Sequence, residues 1–243
     1  MSSELPWWQI AKAQSLERKV RKSAATSGAT DGDSFLIVTE GTVTEPIYFE
    51  LLRKDLQLAA VRIRVQPGWA SHPRHVIETA SNEAKEHAHR SRKGLLANTD
   101  PAKLDQVWAV IDTDVAVREG VWHEIESLAR AKKVKLAYST PCFEYWLLLH
   151  IQGFTTRSDL INGATAKRAV KQALGRDYST NEQTARAVIP SFLHNWPQAV
   201  LHGESARVYH TAAATPKPAN PCTEVCALVR ALNNSAPVHL RKL

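Results

Sequence analysis

The sequence predicts an α/β fold built on a mostly parallel sheet, and three observations carry that prediction. Residues 34–40 (SFLIVTE) and 106–114 (QVWAVIDTD) contain continuous apolar runs, the pattern of strands buried on both faces in parallel sheets. Segments with apolar residues at helical spacing alternate with the strand-like runs. The strand-like runs at 34–40 and 106–114 also close on acidic residues, Glu40 in one and Asp112 with Asp114 in the other.

Taken in order, residues 1–22 predict a helix with Trp7, Trp8, Ile10 and Leu16 as packing positions, and the small, polar 23–33 (SAATSGATDGD) reads as a linker. After the first strand, a helix is predicted from Pro46 to Leu56. Proline suits a first turn, Thr44 or Glu45 can cap, and Tyr48, Leu51, Leu52 and Leu56 fall on one stripe. VRIRVQP (61–67) alternates as a second strand, and Val76, Ile77, Ala80, Ala84 and Ala88 recur at helical spacing from His75 to Arg90. A loop, KGLLANTDPAKLD, leads to the third strand. REGVWHEIESLARAKK then predicts a helix with Trp122, Ile125, Leu128 and Ala129 inward, and VKLAYST a fourth strand. Residues 151–243 read as mostly helical, without a convincing strand. The expected organisation is therefore an N-terminal helix and linker (1–33), an α/β domain (34–150) and a helical C-terminal region (151–243).

Composition bounds the function. The 243 residues, 44% of them hydrophobic, are enough for a core. No apolar run approaches the roughly 18 residues of a membrane span, and the N-terminus lacks a signal-peptide core, so the reading is cytoplasmic with no membrane partner. Cys142, Cys222 and Cys226 are odd in number and read as free thiols; two of them without a second pair make zinc improbable. A net charge of +7 permits a polyanionic partner such as nucleic acid, although charge runs are commonly solvated helix faces.

The acids then acquire a purpose. Open parallel sheets gather ligands beyond the carboxyl ends of their strands, where Glu40, Asp112 and Asp114 fall. A period of two places Asp112 and Asp114 on the same side of an extended chain. Carboxylates crowded in this way repel one another, and Mg²⁺, with Mn²⁺ as a substitute, relieves the repulsion while taking oxygen ligands. A lone D-x-D is commonly a turn or a cap; its combination with an acid on a second strand points to metal. Glu45 opens the first helix, where the macrodipole favours an anion, and reads equally as a cap and as a catalytic group. Glu144, just after the fourth strand among apolar neighbours, needs a partner if buried: a metal, a protonated His150, or a backbone N–H at the helix start. His150 is six positions on, a poor spacing for direct pairing, and a structural histidine is the alternative. Lys85, His87, His89, Arg90, Arg92 and Lys93 form the densest basic stretch outside the termini. They read as phosphate contacts or as a solvated helix end, and Trp69 as a base-stacking platform or a packed loop residue.

A strand ending in Glu-Gly and a later strand ending in Asp-x-Asp resembles the Toprim pattern of topoisomerases, primases and overcoming-lysogenization-defect nucleases. More closely, IVTEGTVTEPIYF, VWAVIDTD, TPCFEYWLLLH and NPCTEVCALVRAL, in that order, resemble the RloB-like proteins. Thr39, where that family often has cysteine, and Cys222 with Cys226, where it has serine and histidine, depart from the pattern without touching an acid. The resemblance implies a Toprim-like sheet, Glu40 as metal ligand or general acid/base, and Asp112 and Asp114 as Mg²⁺ ligands. It further implies a nuclease acting on DNA or RNA, transfer RNA included, in antiphage defence or abortive infection, under a partner ABC-type ATPase encoded nearby. The chain itself has no G-x-x-x-x-G-K-[ST] motif. A homo-oligomer is compatible with this reading. The alternative is a non-catalytic nucleic-acid-binding or scaffolding subunit; nucleotidyl transfer lacks a recognisable nucleotide-binding feature.

Overall fold

The structure, a computed structural model, describes residues 33–65, 72–157 and 159–243. The expected N-terminal helix and its linker up to residue 32 lie outside the described residues, as does Trp69.

Strands β1 (Phe35–Thr39), β2 (Val61–Val65), β3 (Gln106–Asp112) and β4 (Lys135–Thr140) are parallel, and the sheet runs β2-β1-β3-β4-β5. The alternation of side chains along the strands separates two hydrophobic clusters. Phe35, Ile37, Trp108, Val110 and Ala137 face one way; Leu36, Val38, Ala109, Ile111 and Tyr138 face the other. Helix α1 (Thr44–Asp55) covers the first face through Tyr48, Leu52 and, just past its end, Leu56, all fully buried. Complete burial of such a side chain contributes about 1.5–3 kcal/mol. On the opposite face lie α2 (Pro73–Arg92), preceded by an N-cap at His72, and α4 (Trp122–Lys132), with Trp122, Ile125 and Ala129 inward. Between β3 and α4 the chain makes the short helix α3 (Asp114–Arg118). The helices on both faces complete the α/β arrangement of a mostly parallel sheet flanked by helices that the sequence predicts.

The first-helix boundary differs from the expected one. It begins at Thr44 after Val43, with no side-chain cap, so Thr44 and Glu45 lie inside its first turn rather than before it. Helix α5 (Phe143–Leu148) follows β4 and is buried throughout.

After residue 150 come α6 (Gly163–Leu174), α7 (Glu182–Val188), α8 (Pro190–Leu193), α9 (Trp196–Ala212) and α10 (Val225–Ser235). Apolar residues of all five join the cluster under β1, α1 and α5. Asp55 at the end of α1 accepts hydrogen bonds from Trp196 Nε1 (3.2 Å) and Lys242 Nζ (2.8 Å). This region also holds a strand that its sequence does not announce. Cys222–Thr223 (β5) pairs antiparallel with Thr140 and Ser139 of β4, and the Ser139 and Thr223 hydroxyls meet at 2.9 Å. Two residues are too few for a period-two pattern, so pairing is set by the partner strand instead. The three cysteines are free and buried. No helix among the described residues is long and apolar enough to cross a membrane.

Candidate active site at the carboxyl edge of the sheet

The strand order reverses between β1 and β3: the chain leaves β1 for β2 on one side and returns to β3 on the other. Two acids meet at this switch point. Glu40 follows β1, with its N–H on the Val110 carbonyl (3.0 Å), and its Oε2 accepts from the backbone N–H of Asp112 (3.1 Å), the last residue of β3. Asp112 Oδ1 in turn accepts from the N–H of Phe143, at the start of α5 (2.9 Å). Three consecutive strand ends are thereby tied together by two carboxylates.

Asp114 does not continue the strand. The expectation that it shares a side with Asp112 by strand periodicity fails, because β3 stops at Asp112 and Asp114 is the first residue of α3, its Oδ1 accepting from the Val115 N–H (2.7 Å). The turn nevertheless keeps both acids on one cavity of about 290 Å³, whose walls include Gly41, Glu45, Cys142 and Glu144. Glu45 is 7% exposed and accepts from its own backbone N–H and that of Gly41. Its carboxylate occupies the place of a side chain on residue 41: a Cβ there would lie 2.0 Å from Oε2 and 2.3 Å from Oε1. Glycine after Glu40 is therefore what lets Glu45 fold into the site. Glu144, 4% exposed, takes a hydrogen bond from the Tyr178 hydroxyl (3.3 Å), a partner none of the sequence alternatives included.

Burial and mutual repulsion dominate the electrostatics. Burial pushes Glu40 up to about 8, with the Asp112 N–H opposing and the charges of Glu45 and Asp114 adding to it. Burial, then the charge of Glu144, pushes Glu45 up to about 7, against the pull of two backbone N–H groups and Lys167. Asp112 is raised well above the ordinary range by burial and by the four neighbouring acids. Burial, reinforced by Glu144 and Asp112, also pushes the Cys142 thiol up, so it stays protonated. Among the described residues, Lys167 is the one lysine or arginine on the cavity wall.

The donor set suits a hard divalent cation: carboxylate oxygens in excess of positive charge, each paying for its neighbours' repulsion. Among the described residues, however, no group of three or more Asp, Glu, His or Cys side chains is drawn together tightly enough to hold an ion as it stands. Glu40 and Asp112 face backbone N–H groups and Glu45 lies over Gly41, so side-chain rotation is what would bring their oxygens onto a cation.

Other sequence candidates lie elsewhere. His150 is buried with Nδ1 donating to the Trp146 carbonyl (2.9 Å) and Nε2 accepting from the Tyr48 hydroxyl (3.1 Å). Burial lowers it to about 3, so it is a neutral packing residue and not a charged partner for Glu144. Lys85, Arg90, Arg92 and Lys93 are exposed towards and just past the end of α2. That helix starts from the carboxyl side of β2 and returns to the amino side of the sheet; its 20 residues span about 30 Å. The structure does not bring this basic run to the carboxylates. The wall residues that sequence reasoning missed come from α6, Gly163 and Lys167, and from the segment that follows it, Thr180 together with Tyr178 behind Glu144. Nothing local marks them, because the contact depends on how α6 packs against α5.

The family model for RloB-like proteins matches residues 35–232, so the chain belongs to the RloB-like protein family. Neither a search of curated proteins nor one of solved structures finds a match.

Proposed function

We propose that the chain is a divalent-metal-dependent nuclease of the Toprim type, hydrolysing phosphodiester bonds of DNA or RNA. The observation that carries this reading is the gathering of Glu45, Asp112, Asp114 and Glu144 at the sheet's switch point around one cavity with, among the described residues, a single lysine, and Glu40 hydrogen-bonded to the Asp112 N–H beside them. Three of them, Glu40, Glu45 and Asp112, are held above their ordinary range by burial, a cost in stability that supports a chemical use in the cleft. Glu40, Asp112 and Asp114 would hold Mg²⁺ or Mn²⁺. When bound, such an ion polarises a phosphoryl oxygen and lowers the pKa of a water.

The remaining chemistry belongs to the chain. Glu45, at about 7, is poised to take a proton from an attacking water or to give one to a leaving oxygen near neutral pH. Glu144 is the second candidate for that role, held in orientation by the Tyr178 hydroxyl. The buried wall of Phe143 and Cys142 limits water on the strand side.

The resemblance described above further supports a role as effector in antiphage defence, controlled by a partner ABC-type ATPase. The test is cleavage of plasmid DNA, single strands and total cellular RNA with Mg²⁺ or Mn²⁺ and with EDTA, repeated with the cognate ATPase and a phage trigger. Metal-dependent cutting that Glu40→Ala and Asp112→Ala both abolish supports the reading. Silence of the wild type in every condition leaves a non-catalytic scaffold.

A further inference from the structure

The carboxylate cavity does not end at Lys167. That residue also borders a second hollow, of about 530 Å³, whose lining is Lys167, Arg168, Lys171, Gln172 and Tyr178. Tyr178 joins the two from beneath, since its hydroxyl donates to Glu144. A strip carrying positive charge therefore opens directly onto the acidic site.

Helix α6 is built to present that strip. Asn162 caps it through a reciprocal hydrogen-bonded box with Thr165, and Gly175, at φ 62°, ends it. Ala166, Ala169 and Val170 are buried against the core. At 100° per residue, Lys167, Arg168 and Lys171 fall within about 100° of one another on the opposite, exposed side. Lys171 reaches Asp177 at 2.6 Å, an exposed pair worth little in stability. Among the described residues, Lys167 and Arg168 form no ion pair at all, although four carboxylates, Glu45, Asp112, Asp114 and Glu144, line the adjoining cavity. Cations that served only to neutralise those acids would be drawn among them. Lys167 stands at the cavity wall, and Arg168 and Lys171 lie beyond it along the approach.

A polyanion whose reacting phosphate sits over the acids needs cations for the phosphates that flank it. We propose that α6 is the rail for the nucleic-acid backbone: Lys167 meets the phosphate at the mouth of the carboxylate cavity, and Arg168 and Lys171 hold those that follow along the hollow over Tyr178. The proposal rests on the nuclease reading. It assigns phosphate binding to α6 and not to the basic end of α2, on the far side of the sheet.

The test measures binding of fluorescent single-stranded DNA, single-stranded RNA and duplex DNA by the full chain as a function of salt. An Asp112→Asn background keeps the strands intact. Lys167→Glu/Arg168→Glu is compared with Lys85→Glu/Arg90→Glu/Arg92→Glu. The α6 pair should weaken binding at least tenfold and make the slope of log affinity against log salt shallower by about 1.5–2, with the melting temperature unchanged. Lys167→Arg should restore binding. The milder Lys167→Gln/Arg168→Gln should flatten the slope similarly and serves where the double charge reversal perturbs folding. The DNA and RNA arms identify which backbone is preferred. An unchanged slope in the α6 variants, or a larger loss from the α2 set, overturns the proposal while wild-type cleavage leaves the nuclease reading standing. A wild type that neither cuts nor binds any strand removes both.

Discussion

The two ends of the parallel sheet hold acids under opposite conditions. At the amino end, Asp105 accepts from the Ser34 N–H (3.1 Å), the Ser34 hydroxyl (2.9 Å) and Lys103 Nζ (2.8 Å), and these partners, Lys103 first, hold its carboxyl below the usual range. Close by, Arg62 at the start of the edge strand pairs with Asp100. At the carboxyl end, Glu40, Glu45 and Asp112 are raised instead, because they are buried among one another. The first set is solved locally by hydrogen bonds and cations. The second leaves charge to be met by something from outside, and marginal stability makes such an arrangement a costly one to keep without use.

The comparison breaks most sharply if the two ends respond alike to loss of charge. Asp112→Asn and Glu40→Gln, which preserve the acceptor oxygens for Phe143 and Asp112, should reduce metal-dependent cleavage by at least about a hundredfold. In EDTA at pH 8 the same substitutions should raise unfolding stability by about 1–3 kcal/mol, since they remove buried, mutually repelling charge. Asp105→Asn should do the reverse: a loss of about 0.5–1 kcal/mol with cleavage within about twofold of wild type. Chemical denaturation beside a cleavage assay checks all three.

Gly41→Ala sharpens the carboxyl-end picture. The new Cβ displaces the Glu45 carboxylate, a flexible group, so stability should fall by about 1 kcal/mol or less while the maximal rate drops about tenfold. A variant with wild-type rates removes Glu45 from the chemistry.

The pH dependence carries a definite sign. Glu40, Glu45 and Asp112 are raised in the folded chain, which therefore binds more protons than the unfolded chain between about pH 4.5 and 8. In EDTA, their contribution to stability should decline as pH rises through that window. A cation competes with those protons, so Mg²⁺ should raise the melting temperature more at pH 8 than at pH 5.5. Equal shifts at both values would detach metal from these acids.

The smallest effect on chemistry should come from His150→Gln. Loss of the hydrogen bonds to Tyr48 and Trp146 should cost about 1–3 kcal/mol of stability and leave the rate of the folded protein unaltered. Because burial lowers the His150 pKa to about 3, its contribution is complete above the unfolded value near 6.5 and is lost as pH falls towards 3.

The sheet is legible because β1 and β3 are apolar runs closed by acids and strand-like runs alternate with helical spacing, and Glu40 and Asp112 follow from where parallel strands end. Asp114 was legible as a residue near the site but not in its geometry, since period-two reasoning cannot see that the chain turns into α3 after one residue. Tyr178 and Lys167 were illegible for a different reason. Their roles arise from α6 and the following segment packing on α5, a long-range contact with no local signature, whereas the basic end of α2 has a strong local signature and lies about one helix length from the acids. The glycine at 41 is visible in the sequence, but its reason, the Glu45 carboxylate folded back over it, has no local signature.

The most direct measurement is Mn²⁺ binding at pH 8, followed by electron paramagnetic resonance and by proton release, in the wild type and in Asp112→Asn. Saturable binding that frees protons in the wild type and is lost or weakened at least tenfold in the variant is the predicted result. Binding of equal strength in both proteins, or no binding in either, would contradict a metal centre at the switch point of the sheet.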